Sequence, residues 1–306
     1  MILLCGIQSE RPLAMVRAEL DKLGAHYRLF NQRLVAQCHI SWEVHHGAVE
    51  GTLDLEGEVY DLRSVGAAYL RLMDDRVLPE LEGLAVDSPA RRHARAFHDA
   101  LYRWLELAPA RVVNRTEPQG SNGSKPYQAQ LISESGFLVP ETLITNEPDA
   151  VCDFEAEQGA LIYKSISGMR SVVQELSQSD KERLEQIRWC PVQFQARVPG
   201  VDVRVHVVGD EVYATEIVSD ILDYRYASKR GGSAELKACE LSPEVAERCV
   251  ALAERLDLSF VGIDLKITPN GEMYCFEMNP YPAFSYFELN TDQPIARAVA
   301  RYLAAA

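Results

Sequence analysis

Phe260-Val261-Gly262-Ile263-Asp264-Leu265-Lys266-Ile267-Thr268-Pro269-Asn270-Gly271-Glu272-Met273-Tyr274-Cys275-Phe276-Glu277-Met278-Asn279-Pro280 is the stretch on which the reading of this chain turns. Asn270-Gly271 between two strand-like runs signals a β-hairpin closed by a two-residue type I′ turn. With those two residues as the loop, Pro269 faces Glu272 and Asp264 lies directly opposite Glu277. Facing residues hold their Cβ atoms about 4.5–5.5 Å apart, and like charges so placed repel. A cation between the carboxylates makes the arrangement tolerable. Strand alternation puts Asn279 on the face of Glu277, and Gly262 opposite Asn279 leaves room. Three oxygen-bearing side chains then converge with no His or Cys among them. Such a donor set suits magnesium shared with nucleotide phosphates better than zinc. The competing reading is a solvated hairpin face carrying two unrelated acids; Cys275, Gly262 and the apolar neighbours argue instead for a buried hairpin.

Upstream of the hairpin, 243–256 reads as a helix and 201–208 and 211–217 as strands. Along 201–208, Asp202, Arg204 and His206 share one face and the valines the other, which suits either a strand lining a polar cleft or a surface strand with mixed charges. Further strands are expected at 161–166 and 192–197. Ser167-Gly168-Met169-Arg170-Ser171 reads as a flexible loop between strands, either a mobile lid or a plain hairpin loop. A helix is expected at 127–135, closed by Gly136 and preceded by a loop over 120–126. That loop lacks the GxxxxGK[ST] spacing of a P-loop. Ser124 is expected to cap the helix with Pro126 in its first turn, and a helix start of this kind attracts phosphate.

The chain opens with a strand at 1–7, a helix at 12–23 ended by Gly24, and a strand at 27–30. The first turn, Gly6-Ile7-Gln8, carries no GxGxxG dinucleotide fingerprint. Short strands are expected over 40–73. An amphipathic helix over 89–105 places Phe97, Leu101, Trp104 and Leu105 on one face. No repeats occur, and no low-complexity tract beyond 304–306. The succession is α+β: an N-terminal α/β lobe, then antiparallel hairpins.

Composition narrows the function classes. With 306 residues and nearly half of them apolar, the chain suits two or three compact lobes. A net charge of -14 argues against nucleic-acid binding, which needs a basic footprint. The seven cysteines show neither CxxC nor Cys/His zinc spacing, and a reducing cytoplasm fits them best. The apolar start has no cationic region and does not read as a signal peptide, and no stretch is long enough to span a membrane. No HxxxH, HExxH or Gly-x-Ser-x-Gly pattern is present, so metalloprotease and triad-hydrolase chemistry are unsupported.

With Asp264, Glu277-Met278-Asn279-Pro280 and Pro282-Ala283-Phe284 in view, the chain resembles the ATP-grasp enzymes. It is most similar to the RimK-type glutamate ligases and the related ligases that modify ribosomal peptides. The resemblance runs from about Asn114 to Glu288 with several motifs in the family's order; the N-terminal lobe matches loosely, best at 65–73. It implies an ATP-grasp fold: an N-terminal lobe at 1–113, a middle lobe at 114–191, and a C-terminal lobe at 192–306 that carries the metal site, the last two clasping ATP. It implies that Lys125 reaches the phosphates and that Lys164 contacts phosphate and adenine. The run Val192-Gln193-Phe194-Gln195 matches the hinge strand whose backbone holds the adenine edge, and Asp202 falls near the ribose. Arg204 matches the arginine that stabilises the transferred phosphoryl group. Arg225 and Arg230-Gly231-Gly232 match a loop near the phosphates and acceptor. Asp264, Glu277 and Asn279 match the magnesium ligands. Gln193 departs from the family, where many members carry Glu.

The implied activity is ATP-dependent ligation of a carboxylate to an amine or hydroxyl through an acyl phosphate, with ADP and phosphate released. One or two magnesium ions are expected, manganese being a substitute. The expected partner is a peptide or amino acid, and a homodimer is an allowed assembly. Such chemistry needs cations fixed where negative charge develops, which Lys125, Lys164 and Arg204 supply. Two other readings compete: a phosphotransferase on the same fold and a non-catalytic nucleotide-binding module. Arg71 and Arg76 are either holders of a substrate carboxylate or plain surface arginines, and the arginines at 91–95 read as a solvated helix face.

Overall fold

The computed structural model describes residues 1–166, 173–219 and 234–306. Its elements in chain order begin with β1 (Ile2–Gly6), α1 (Arg11–Lys22), β2 (Tyr27–Asn31), β3 (Cys38–His45), β4 (Ala48–Leu55), β5 (Glu58–Asp61), β6 (Ala67–Arg71), α2 (Pro89–Leu107) and β7 (Arg111–Val113). Then come α3 (Lys125–Ser133), β8 (Thr142–Thr145), α4 (Pro148–Gln158), β9 (Leu161–Ser165), β10 (Gln174–Glu175), α5 (Gln178–Lys181) and β11 (Val192–Ala196). The last part holds β12 (Val201–Val208), β13 (Glu211–Ser219), β14 (Ala234–Cys239), α6 (Pro243–Arg255), β15 (Phe260–Ile267), β16 (Met273–Asn279), α7 (Ser285–Thr291) and α8 (Ile295–Ala304). Among the described residues no helix is long and apolar enough to cross a membrane.

The first sheet is parallel, in the order β2-β1-β6-β7. All five residues of β1 are buried, as befits a strand covered on both faces. Ile2 and Leu4 pack with Leu13, Val16 and Leu20 of α1 and with α8. Leu3 and Cys5 point the other way, to Phe97, Leu101 and Trp104 of α2 and to the meander β3-β4-β5. Helix α8 was not expected from the sequence. Its Ile295, Ala296, Val299, Ala300 and Leu303 are buried at helical spacing, and the 304–306 tract is its end.

The second sheet is antiparallel, in the order β10-β9-β11-β8. One face packs Leu161 and Phe194 on Val151 of α4. The third, also antiparallel, runs β14-β13-β12-β15-β16. One of its faces covers Cys249 and Leu252 of α6; the other meets α7, α8 and the first sheet's layer. The expected division between 191 and 192 cuts through the second sheet, because β11 pairs with both β8 and β9. Likewise Ile132 of α3 and Phe137 sit in the core of the third sheet, not of the second.

Candidate functional site

The hairpin that carries the acids is not closed as expected. Facing Pro269 with Glu272 would require an N–H that proline lacks. Thr268 N–H donates to the Glu272 carbonyl instead (2.9 Å), and Gly271 N–H donates to the Thr268 carbonyl (2.9 Å). The loop is therefore three residues, Pro269-Asn270-Gly271, with Gly271 in the left-handed region at φ 86°. Pairing shifts by one: Ile267 faces Met273 and Leu265 faces Cys275. Continued unbroken, that ladder would set Asp264 opposite Phe276. A β-bulge intervenes between Leu265 and Asp264, with Phe276 as its extra residue, and returns Asp264 to Glu277 and Gly262 to Asn279. The facing acids stand, by a turn and a bulge that compensate one another.

The repulsion between them is answered by protein cations, where the sequence suggested a divalent ion. Lys125 Nζ lies 2.7 Å from Glu277 Oε1, and Arg204 Nη1 donates to Asp264 Oδ1 at 2.6 Å. Lys125 opens α3 and Arg204 projects from β12, directly opposite Asp264 in register. Burial works to raise the Glu277 carboxyl, but Lys125, with Lys164 and Arg204 behind it, outweighs burial and holds it below its ordinary value. A methyl group on Gly262 would fall 2.1 Å from Arg204 Nη2. The room Gly262 leaves is therefore taken by this guanidinium.

Beside this cluster lies a cleft of about 840 Å³ whose walls include Lys125, Lys164, Gln193, Gln195, Ile144 and Phe276. That volume is in the range of small-molecule and cofactor sites. A smaller pocket of about 240 Å³ sits by Tyr163 and Phe194, away from the acids. The backbone of Val192–Gln195 is paired on both sides, to β8 and to β9, so it presents no open edge. Phe194 turns its ring into the core. What β11 offers to the cleft is the side chains of Gln193 and Gln195. Gln195 Nε2 donates to Thr142 Oγ1 (3.0 Å), while the buried side-chain carbonyls of both glutamines lack a hydrogen-bond partner among the described residues.

Other expected residues fall differently. Asp202 pairs with Lys266 at 3.1 Å. His206 shares the face of Arg204, as alternation requires, but it is fully buried against Phe287 and Phe260 and lines no polar cleft. Asn279 Oδ1 accepts from Tyr281 N–H (2.9 Å). Ser124 precedes α3 without a side-chain cap hydrogen bond. Arg71 is buried, ion-paired with Glu10 and stacked 4.0 Å over Tyr281, so it is neither a surface residue nor open to a ligand. Arg76 is exposed and paired with Asp74. Arg91 donates to the carbonyls of Leu81 and Leu84, and Arg95 to Asp75, so this helix face is tethered to the preceding loop. Arg225, Arg230-Gly231-Gly232 and the loop expected over 167–171 lie outside the described residues.

Among the described residues no group of three His, Cys, Asp or Glu side chains gathers as a metal cage. The expected set has two carboxylates and one amide. Its hard oxygens fit magnesium provided that phosphate oxygens complete the coordination.

Two residues escaped the sequence reading. Gln128, three residues after Lys125 on the same face of α3, is buried and bonded through both side-chain atoms to the backbone of Met278. Asn114 donates to the carbonyls of Phe260 (2.6 Å) and Pro280 (2.7 Å) and accepts from Phe260 N–H (3.0 Å), tying the start of β15 to the end of β16. The helical spacing from Lys125 was a legible signal for Gln128; nothing local marks Asn114.

Comparison with known proteins bears on this arrangement. The model of the RimK-like ATP-grasp domain matches residues 124–303. A probable alpha-L-glutamate ligase of Photobacterium profundum is 27% identical over 216 residues, covering 67% of this chain and 70% of the relative. The solved ATP-grasp ligase PsnB, complexed with minimal precursor, Mg and ADP, is 29% identical with a TM-score of 0.79, covering 99% of this chain and 96% of that one. A RiPP-associated ATP-grasp ligase of Chryseobacterium gregarium, in complex with ADP and a leader and core peptide, shares the fold at a TM-score of 0.81 and 21% identity, over 99% and 96% of the two chains.

Proposed function

The chain belongs to the RimK-like ATP-grasp family and is an ATP-dependent ligase, and from that premise we propose that it activates a carboxylate as an acyl phosphate and joins it to an amine, on a peptide or amino acid. In the first step a carboxylate oxygen attacks the γ-phosphorus and ADP leaves. In the second the amine attacks the acyl carbon, loses a proton, and phosphate leaves. A peptide substrate is supported by PsnB, which was solved with a precursor.

The observation that carries this reading is the pair Asp264 and Glu277, face to face beside the cleft and each set against a fixed cation. Asp264, Glu277 and Asn279 would hold magnesium, or manganese in its place. Magnesium, when bound, would draw negative charge from the nucleotide phosphates. Lys125 and Lys164 line the cleft and would reach the phosphates, and Arg204 would steady the transferred phosphoryl group; Arg225 is assigned to the same region by resemblance. Losing one such fixed donor typically costs about 2.7–4 kcal/mol of barrier. The orphan carbonyls of Gln193 and Gln195 suit an exocyclic amine such as that of adenine. For function we divide the chain after 113 and, because β11 completes the middle sheet, after Ala196. Seven free cysteines accord with a reducing cytoplasm.

Incubation with ATP, magnesium and a peptide library, read by product mass, tests the reaction. A mass gain equal to condensation, with ADP released, is expected. A stable phosphorylated product would point to a phosphotransferase. Glu277→Ala is expected to abolish turnover; full activity in that variant would remove the metal assignment.

A further inference from the structure

Strand β16 is the edge of its sheet, so its outward backbone groups need partners from elsewhere. Leu138 supplies them on one side of the bulge. Its N–H donates to the Met273 carbonyl (3.2 Å), and its carbonyl accepts from Cys275 N–H (2.8 Å). In a regular strand the outward groups recur at every second residue, so the next would belong to Glu277. The bulge moves them to Met278. There the side-chain amide of Gln128 is waiting: Nε2 donates to the Met278 carbonyl and Oε1 accepts from Met278 N–H, both at 2.9 Å. Gln128 is 1% exposed and acts as one more peptide unit against the edge.

The apolar pattern does not fix where the bulge sits. Cys275 and Met278 both belong to the core, while Phe276 lines the cleft and Glu277 pairs with Lys125. Either could be the residue that meets Asp264. With Leu138 holding Cys275 and Gln128 holding Met278, the extra residue is confined between them, and the ladder beyond it begins at Glu277. Helix α3 is thus keyed to β16 at two points, Lys125 on Glu277 and Gln128 on Met278.

We infer that Gln128 is a positioning residue for the metal-binding set: its amide locks the bulged register of β16 and so holds Glu277 opposite Asp264, with Asn279 following. The inference rests on the assignment of Asp264, Glu277 and Asn279 as ligands. Residues that orient metal ligands typically contribute about 10–100-fold in metal affinity.

The test is ADP binding to the full chain, titrated with and without magnesium. Gln128→Met keeps the side-chain volume and removes both hydrogen bonds. It is expected to raise the magnesium concentration that half-tightens ADP binding by about tenfold or more, with metal-free ADP affinity within about twofold of the parent. Amide hydrogen exchange at Glu277 and Met278 should quicken without change in the amides of α6. If Gln128→Met does not fold, Gln128→Glu, which keeps the bond from Met278 N–H, is titrated instead, and a shift of about threefold or more is expected on the same scale. An unchanged magnesium midpoint in a folded variant overturns the inference, as does an equal loss of metal-free ADP affinity, which would mean the whole cleft had moved. Glu277→Ala separates the two claims. If magnesium tightens ADP binding equally in Glu277→Ala, the ligand assignment fails; if that variant loses the effect while Gln128→Met keeps it, only the role of Gln128 fails.

Discussion

Gly262 and Arg204 are fitted to one another at the scale of single atoms. A Cβ at position 262 would lie 2.1 Å from Nη2 and 2.5 Å from Cζ of the guanidinium, so Gly262→Ala must push Arg204 off Asp264. On the role proposed for Arg204, single-turnover kinetics should show the rate of phosphoryl transfer falling by about 10²–10³-fold, the usual effect of losing one preorganised donor. His206, the next residue inward on the same face of β12, makes a different kind of prediction. Neither of its ring nitrogens has a hydrogen-bond partner among the described residues. Burial first, and the Arg204 charge second, hold its pKa well below the ordinary value. The unfolded chain therefore takes up a proton near pH 6.5 that the folded chain refuses. The stability this neutral histidine contributes is complete above that pH and is lost as pH falls toward its folded pKa, by about 1.4 kcal/mol per pH unit. Urea midpoints of His206→Phe should accordingly lose part of the decline that the parent shows between pH 6.5 and 5.

At the scale of elements the hairpin shows what local chemistry does and does not decide. Asn270-Gly271 marks the turn correctly, but Pro269 vetoes the two-residue closure because it has no N–H to give. The turn then fixes one register and the buried face of β16 demands another, and the bulge at Phe276 reconciles them. Gly271 has open space around it and φ 86°, so Gly271→Ala tests backbone strain alone. Urea unfolding should report a loss of about 1–2 kcal/mol. The strand β11 gives the opposite lesson. Its sequence suited a hinge whose backbone meets a ligand, yet both of its edges are consumed by β8 and β9. What reaches the cleft is decided by the alternation of its side chains, Phe194 inward and the two glutamines toward the cleft.

Across the whole molecule, the N-terminal layer is tied to the third sheet by buried groups distant in sequence. Arg71, at the end of β6, pairs with Glu10, stacks on Tyr281 and donates to the Pro282 carbonyl (3.3 Å). Glu10 also accepts from Leu13 N–H at the start of α1. Glu10→Ala leaves a guanidinium buried without its counter-charge and uncaps the helix, which should cost about 3 kcal/mol or more in chemical denaturation. Arg76→Ala, which removes an exposed pair with Asp74, should leave the denaturation midpoint where it was. Helix α8 belongs to the same scale: the last residues of the chain complete the core around the first strand.

Taken alone, the sequence determined the alternation of faces along β12, the helices α1, α2, α3 and α6, and a turn at Asn270-Gly271 that sets the strands of Asp264 and Glu277 side by side. All of these follow from periodicity or turn chemistry within one or two adjacent elements. Only the tertiary structure decided that Lys125 and Arg204 would neutralise those acids, that Gln128 and Asn114 would grip the strands that bear them, and that Arg71 would be buried. Each of these joins groups far apart along the chain, and a hydrogen bond or ion pair between elements is set by how their backbones approach, a quantity no local pattern encodes.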